Sequence, residues 1–203
     1  MKSKPEFHRL TESLVLWHRF DPTVKVDLFS TAIRTSVGRY LIDAISPEAE
    51  VLDFCRKQSV AGLVVTNANH IRSTCEVAKR LKVPIFAHAG ATLDLTGDVT
   101  ELHDGEQIAP ELKVITIEGA APGEIALHCT AEGGTLIFGD ALINLETNGF
   151  AFLPRKYCLD QKLMRRSLQK VLRYTFRRIL FAHGSPIVSQ AELRLAELLR
   201  RTI

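Results

Sequence analysis

Long hydrophobic runs are missing from this chain of 203 residues. None approaches the roughly 18 apolar residues that a membrane-spanning helix needs, so no membrane partner is expected. The opening Met1-Lys2-Ser3-Lys4-Pro5 lacks the apolar core of a secretory leader, and the expected location is cytoplasmic. Cys55, Cys75, Cys129 and Cys158 include no C-x-x-C pair, which excludes a zinc ribbon or a paired redox motif; they read as buried free thiols. There is no glycine-rich phosphate loop of the Walker type. Gly184-Ser185-Pro186 lacks the flanking glycines of a nucleophile elbow.

What is present is a core. At 46% hydrophobic residues the chain can bury a substantial interior, and its length is that of one large domain, 1–203. Net charge is +3, unevenly spread. Residues 151–203 hold 12 Lys and Arg against 3 Asp and Glu, while the first 150 hold 14 against 20. The basic residues fall mainly on one predicted helix, which reads as a solvated face. Nucleic acid is not an expected partner, because no basic–aromatic motif accompanies them.

The chain is organised around Ala61 to Glu76. Gly62-Leu63-Val64-Val65 reads as a buried strand, and Ser73-Thr74-Cys75-Glu76 as a capping box that opens a helix through Arg80. The polar loop between them lies at a strand's carboxyl end, where loop groups converge in open α/β sheets. Before it, Leu14 to Trp17, Val26 to Ile33 and Arg39 to Asp43 read as strands, with Gly38 at a hairpin turn, and Ser46-Pro47-Glu48 as a helix start. After it come strands at 83–88, 112–117, 125–129, 135–140 and 179–182. Residues 91–110 read as irregular. A long helix capped by Asp160 runs over 160–176, and Ser189-Gln190-Ala191-Glu192 opens a terminal helix.

Thr66-Asn67-Ala68-Asn69-His70-Ile71-Arg72 resembles the Thr-His-x-His-x-Asp-His metal-binding segment of the metallo-β-lactamase superfamily. Gly119 to Glu124 is similar to that family's Gly-His-Thr-Pro-Gly-Glu turn, Phe138-Gly139-Asp140 to its Gly-Asp turn, and His183-Gly184 to its last His-Gly turn. Tyr40 to Asp43 resembles its early strand, which also ends beside an acidic residue. The resemblance spans about Leu14 to Leu199. It implies an α/β fold, a four-layer αββα sandwich of two mixed β-sheets flanked by helices.

By the same matching, Asn67, Asn69, Ile71, Arg72 and Ala120 stand at ligand positions, and only Asp140 and His183 are retained. A dinuclear zinc centre is therefore not expected, and neither is any metal cofactor. The retained frame implies a pocket of Asn67, Asn69, His70, Arg72, Asp140 and His183, with Asp140 and His183 as candidate catalytic residues. Arg72 is expected to pair with Asp140, neutralising the carboxylate and suiting a small anionic ligand. The competing reading rebuilds a site for zinc or another divalent metal from His70 or His88; His103 and His128 lie elsewhere in the chain.

Three functions remain open. The first is a metal-free relative that binds a ligand or a partner, and the replaced loop favours it. The second is a hydrolase of an ester, thioester or phosphoester with an altered metal site. The third is a scaffold or nucleic-acid partner acting through the basic face.

Overall fold

The computed structural model describes residues 6–45, 49–147 and 149–200. Its first sheet carries seven strands side by side in chain order. β1 (Glu6–Arg9), β2 (Leu14–Asp21), β3 (Val26–Thr35) and β4 (Gly38–Ile42) form an antiparallel meander. β5 (Val60–Val65), β6 (Ile85–His88) and β7 (Val99–Leu102) then add in parallel. The β3–β4 turn is tight enough to need glycine: Gly38 has φ +134°, outside the range that other residues adopt readily.

The second sheet has the order β14 (Arg178–Phe181), β11 (Thr135–Phe138), β10 (Ile125–Cys129), β9 (Leu112–Thr116), β8 (Gln107–Ala109). β12 (Leu142–Leu145) and β13 (Gly149–Phe152) form a separate hairpin.

Strand periodicity explains why the sheets stack. Leu14, Leu16, Tyr40, Ile42 and Val64 point into the layer between the sheets, where they meet Val114, Ile125, Leu127, Ile137 and Leu180. Their sequence neighbours Val15, Trp17, Leu41, Leu63 and Val65 point the other way. There they pack under α1 (Ala49–Arg56) and α2 (Thr74–Leu81) through Val51, Cys55, Val77 and Ala78. On the far side Leu136, Phe138, Ile179 and Phe181 meet Met164 and Leu168 of α3 (Gln161–Leu168), and Leu195 and Leu199 of α4 (Ala191–Arg200). The result is the expected α–β–β–α layering. Each fully buried Leu, Ile or Val contributes about 1.5–3 kcal/mol relative to an exposed one, so three apolar layers hold the frame rigidly around its edges.

Several local readings need correction. Residues 91–110 are not wholly irregular but contain β7 and β8, each paired at a sheet edge. The long basic helix stops at Leu168 and tightens into a 3-10 turn over Gln169–Arg173. Ser73 stands at the helix start, yet its side chain makes no capping bond. Asp160 does cap α3, accepting from Lys162 N and Leu163 N. The predicted start at Ser46-Pro47-Glu48 lies outside the described residues.

Candidate functional site

Four strand ends meet at one edge of the sandwich. β4 and β5 are parallel neighbours, so their carboxyl ends bring Asp43 and Thr66 together. β11 and β14 are likewise parallel, and the residues just beyond them include Asp140 and His183. Thr66 O accepts from Ile125 N, which joins the two sheets at this edge.

Asp43 is buried and adopts φ +50°, a left-handed conformation that acidic side chains tolerate better than most. Its carboxylate accepts Thr66 N at 2.8 Å and Thr66 Oγ1 at 2.6 Å, and faces His70 Nδ1 at 3.0 Å. The loop after Thr66 is a 3-10 turn over Ala68–His70, capped by the Asn67 side chain, which accepts from Asn69 N. That turn swings His70 back beneath the strand ends, where it is 2% exposed. With Nδ1 tied to Asp43, Nε2 is left facing Asp140 Oδ1 at 3.2 Å and His183 Nε2 at 3.2 Å. His183 Nε2 in turn stands 3.4 Å from Asp140 Oδ1.

The other oxygen of Asp140 is already engaged, accepting from Asn67 Nδ2 at 3.3 Å and Asn69 Nδ2 at 3.2 Å. Asn67 Nδ2 also donates to Glu124 Oε2 at 2.7 Å, and Glu124 Oε1 accepts from Ala141 N. Gly139 makes this convergence possible. A Cβ there would lie 2.5 Å from Thr66 Oγ1 and 2.8 Å from Asn67 Nδ2.

Asp43 and Asp140 carry the acid charge of this cluster, with Glu124 beside them and the guanidinium of Arg72 as a permanent cation. Burial and Arg72 oppose a proton on His70, but Asp43 and Asp140 outweigh them and lift it to about 9. Burial, with the Asp140 charge, pushes Glu124 up to about 8. Burial, His70 and Arg72 push His183 down to about 4. Burial works against the ionised form of Asp140, yet His70 and His183 hold it well below the usual carboxylate range.

The expected pocket residues thus separate. Asn67, Asn69, His70, Asp140 and His183 come together. Arg72 does not pair with Asp140, which corrects that expectation. Its φ of +45° turns the side chain away, and the guanidinium donates to the backbone carbonyls of Phe29 (2.7 Å), Asp43 (3.1 Å) and Ala182 (3.5 Å). Ile71 packs in the apolar layer beside α2, and Ala120 is wholly buried in the layer under α3. His88 accepts from Gly90 N, His128 pairs with Thr175 O and His103 is exposed, so none of these joins the cluster.

The donor set fits one divalent ion. Around a four-coordinate metal with ligand bonds of about 2.0–2.1 Å, neighbouring ligand atoms stand about 3.3–3.4 Å apart. His70 Nε2, His183 Nε2 and Asp140 Oδ1 are mutually separated by 3.2, 3.4 and 3.2 Å. The Asp43–His70 contact is of the kind that orients a ligating imidazole, and the two amides fix Asp140 in the same way. Among the described residues no second group of donors stands beside it, since Asp140 Oδ2 is occupied and Ile71, Arg72 and Ala120 offer no carboxylate or imidazole. Sequence reasoning missed Asp43 as a positioning group. A Thr one helical turn before a buried His, facing an acid at the end of the preceding parallel strand, was the available signal.

Comparison with known proteins agrees with this geometry at the level of the fold. No curated protein sequence matches the chain. Among solved structures it is similar to the DIM-1 metallo-beta-lactamase, with 12% identity, a TM-score of 0.80 and full coverage of both chains. It is also similar to a metallo-beta-lactamase from Pontibacter korlensis, with 19% identity, a TM-score of 0.76 and coverage of 98% of this chain and 100% of that one. The mono-zinc form of the FIM-1 enzyme from Pseudomonas aeruginosa gives 12% identity and a TM-score of 0.76, over 98% of this chain and 96% of that one. The family model described as metallo-beta-lactamase superfamily matches residues 5–202, and the chain belongs to that superfamily.

Proposed function

We propose that this protein is a hydrolase with a single-metal centre held by His70, Asp140 and His183, acting on an ester, thioester or phosphoester. One observation carries the reading: three donor atoms from three separate strand ends stand 3.2–3.4 Å apart, at the spacing of ligands around one ion. When bound, a divalent ion at such a site polarises a carbonyl or phosphoryl oxygen and makes water a usable nucleophile at neutral pH. The chain's own residues do the positioning. Asp43 fixes the tautomer and direction of His70, while Asn67 and Asn69 hold Asp140 so that Oδ1 faces inward. Asn69 is exposed and the His183 side chain is 18% exposed, so the cluster is open to solvent on that side.

A second reading rests on a different observation. His70 lies between Asp43 and Asp140, which lift it to about 9, so a protonated His70 also neutralises the cluster without an ion. On that reading the protein is a metal-free ligand binder.

Elemental mass spectrometry on untagged protein, grown with added zinc, manganese and iron, separates the two. Near-stoichiometric metal that is lost in both His70→Ala and His183→Ala is the expected result. Less than about a tenth of an equivalent in the wild type would retire the metal-centred reading in favour of ligand binding.

A further inference from the structure

Residues 155–178 hold nine Lys or Arg and a single acid, Asp160. That acid is committed, since its carboxylate caps α3. Among the described residues, only Lys170 of these cations meets a carboxylate, that of Asp104 at 3.8 Å. On α3, helical geometry separates two sides: Met164, Ser167 and Leu168 point into the core, and Lys162 and Arg166, one turn apart, are exposed.

Beside this face Arg155, Lys162 and Arg165 line a concavity of about 560 Å³ together with Leu159. Leu159 of this lining is 68% exposed, and Tyr157, two residues before it in the chain, is 61% exposed. Lys156 Nζ lies 4.6 Å from the Tyr157 ring centroid, so cation and ring are presented together. The segment is anchored firmly, Leu159 N donating to Ala120 O and Asp160 N to Gly119 O.

We propose that this surface binds single-stranded nucleic acid. Uncompensated cations suit a run of phosphates. The exposed ring and the apolar side chain next to them offer stacking, which unpaired bases can use and paired bases cannot. The sequence held no compact basic–aromatic motif, which is why nucleic acid was not expected. The structure adds a concavity where Arg155, Leu159, Lys162 and Arg165 meet, with the exposed Tyr157 two residues before Leu159 in the chain. The proposal does not depend on the metal centre.

Fluorescence anisotropy of the full chain with a labelled oligo-uridylate tests it. If four of the cations neutralise phosphates, the log–log salt slope is near −3, and a fourfold rise in salt weakens binding about 50-fold. The Lys162→Glu/Arg166→Glu variant should bind at least about tenfold more weakly at low salt, with an unchanged melting temperature. Tyr157→Ala should weaken binding while leaving the salt slope as it was. Absence of binding at low salt overturns the proposal, as does binding unaffected by the double variant. Duplex bound as well as the single strand also overturns it, by removing the role of stacking. Binding to anionic vesicles but not to the oligomer would reassign the face to a membrane surface and overturn it too.

Discussion

Asp43 accepts three hydrogen bonds in a left-handed conformation, and no metal-ligand role is needed to explain why its charge matters. Asparagine is also at ease at that backbone angle, so Asp43→Asn isolates charge from strain. Under the metal-centred proposal the variant should keep the fold and lose about 10–100-fold in zinc affinity, measured by competition with a chromogenic chelator. Unchanged affinity would mean that His70 is oriented by Thr66 alone. At this scale the sequence was only half legible. Asp140 and His183 lie in short turns whose Gly-Asp and His-Gly patterns are local, and the structure does bring them together. Which of Asn67, Asn69, His70 and Arg72 would point inward was not local. It depends on a 3-10 turn and on the positive φ of Arg72, and neither leaves a mark in residue spacing.

Elements differ in how strongly the sequence specifies them. The strands between the two sheets were readable because both of their faces are buried, leaving nearly continuous apolar runs. β1, β7, β8 and the β12–β13 hairpin were not read as strands, being three or four residues long and carrying no long apolar run. Pairing with a neighbour, rather than their own pattern, makes them strands. Helix ends show the same contrast. Asp160 accepts two backbone N–H groups at the start of α3, so Asp160→Ala should cost about 1 kcal/mol. For a chain of this length that is a fall of about 2–4 °C in melting temperature, readable by calorimetry. The same variant makes the basic face more positive, so any loss of oligonucleotide binding in it would reflect a frayed helix rather than lost charge.

At the scale of the whole molecule, the two sheets are joined by an apolar layer and, at the site edge, by Arg72. Its three acceptors come from β3, from the end of β4 and from the residue after β14, so one guanidinium spans both sheets. Arg72→Met keeps a side chain of similar length but leaves these carbonyls without their charged donor. A loss of about 3 kcal/mol is expected, seen as a lower urea midpoint with an unchanged slope. Among the described residues no helix is long and apolar enough to cross a membrane.

The permanence of that guanidinium has a further consequence. Where ligands from opposite halves of a protein depend on an ion to stay together, losing the ion and losing the structure are one event. Here a fixed positive charge already fastens the halves beside the cluster, and it cannot dissociate or be chelated. Occupancy of the His70–Asp140–His183 position is thereby freed from any scaffolding duty. Under the metal-centred proposal, an ion held there could be removed without unfastening the two sheets.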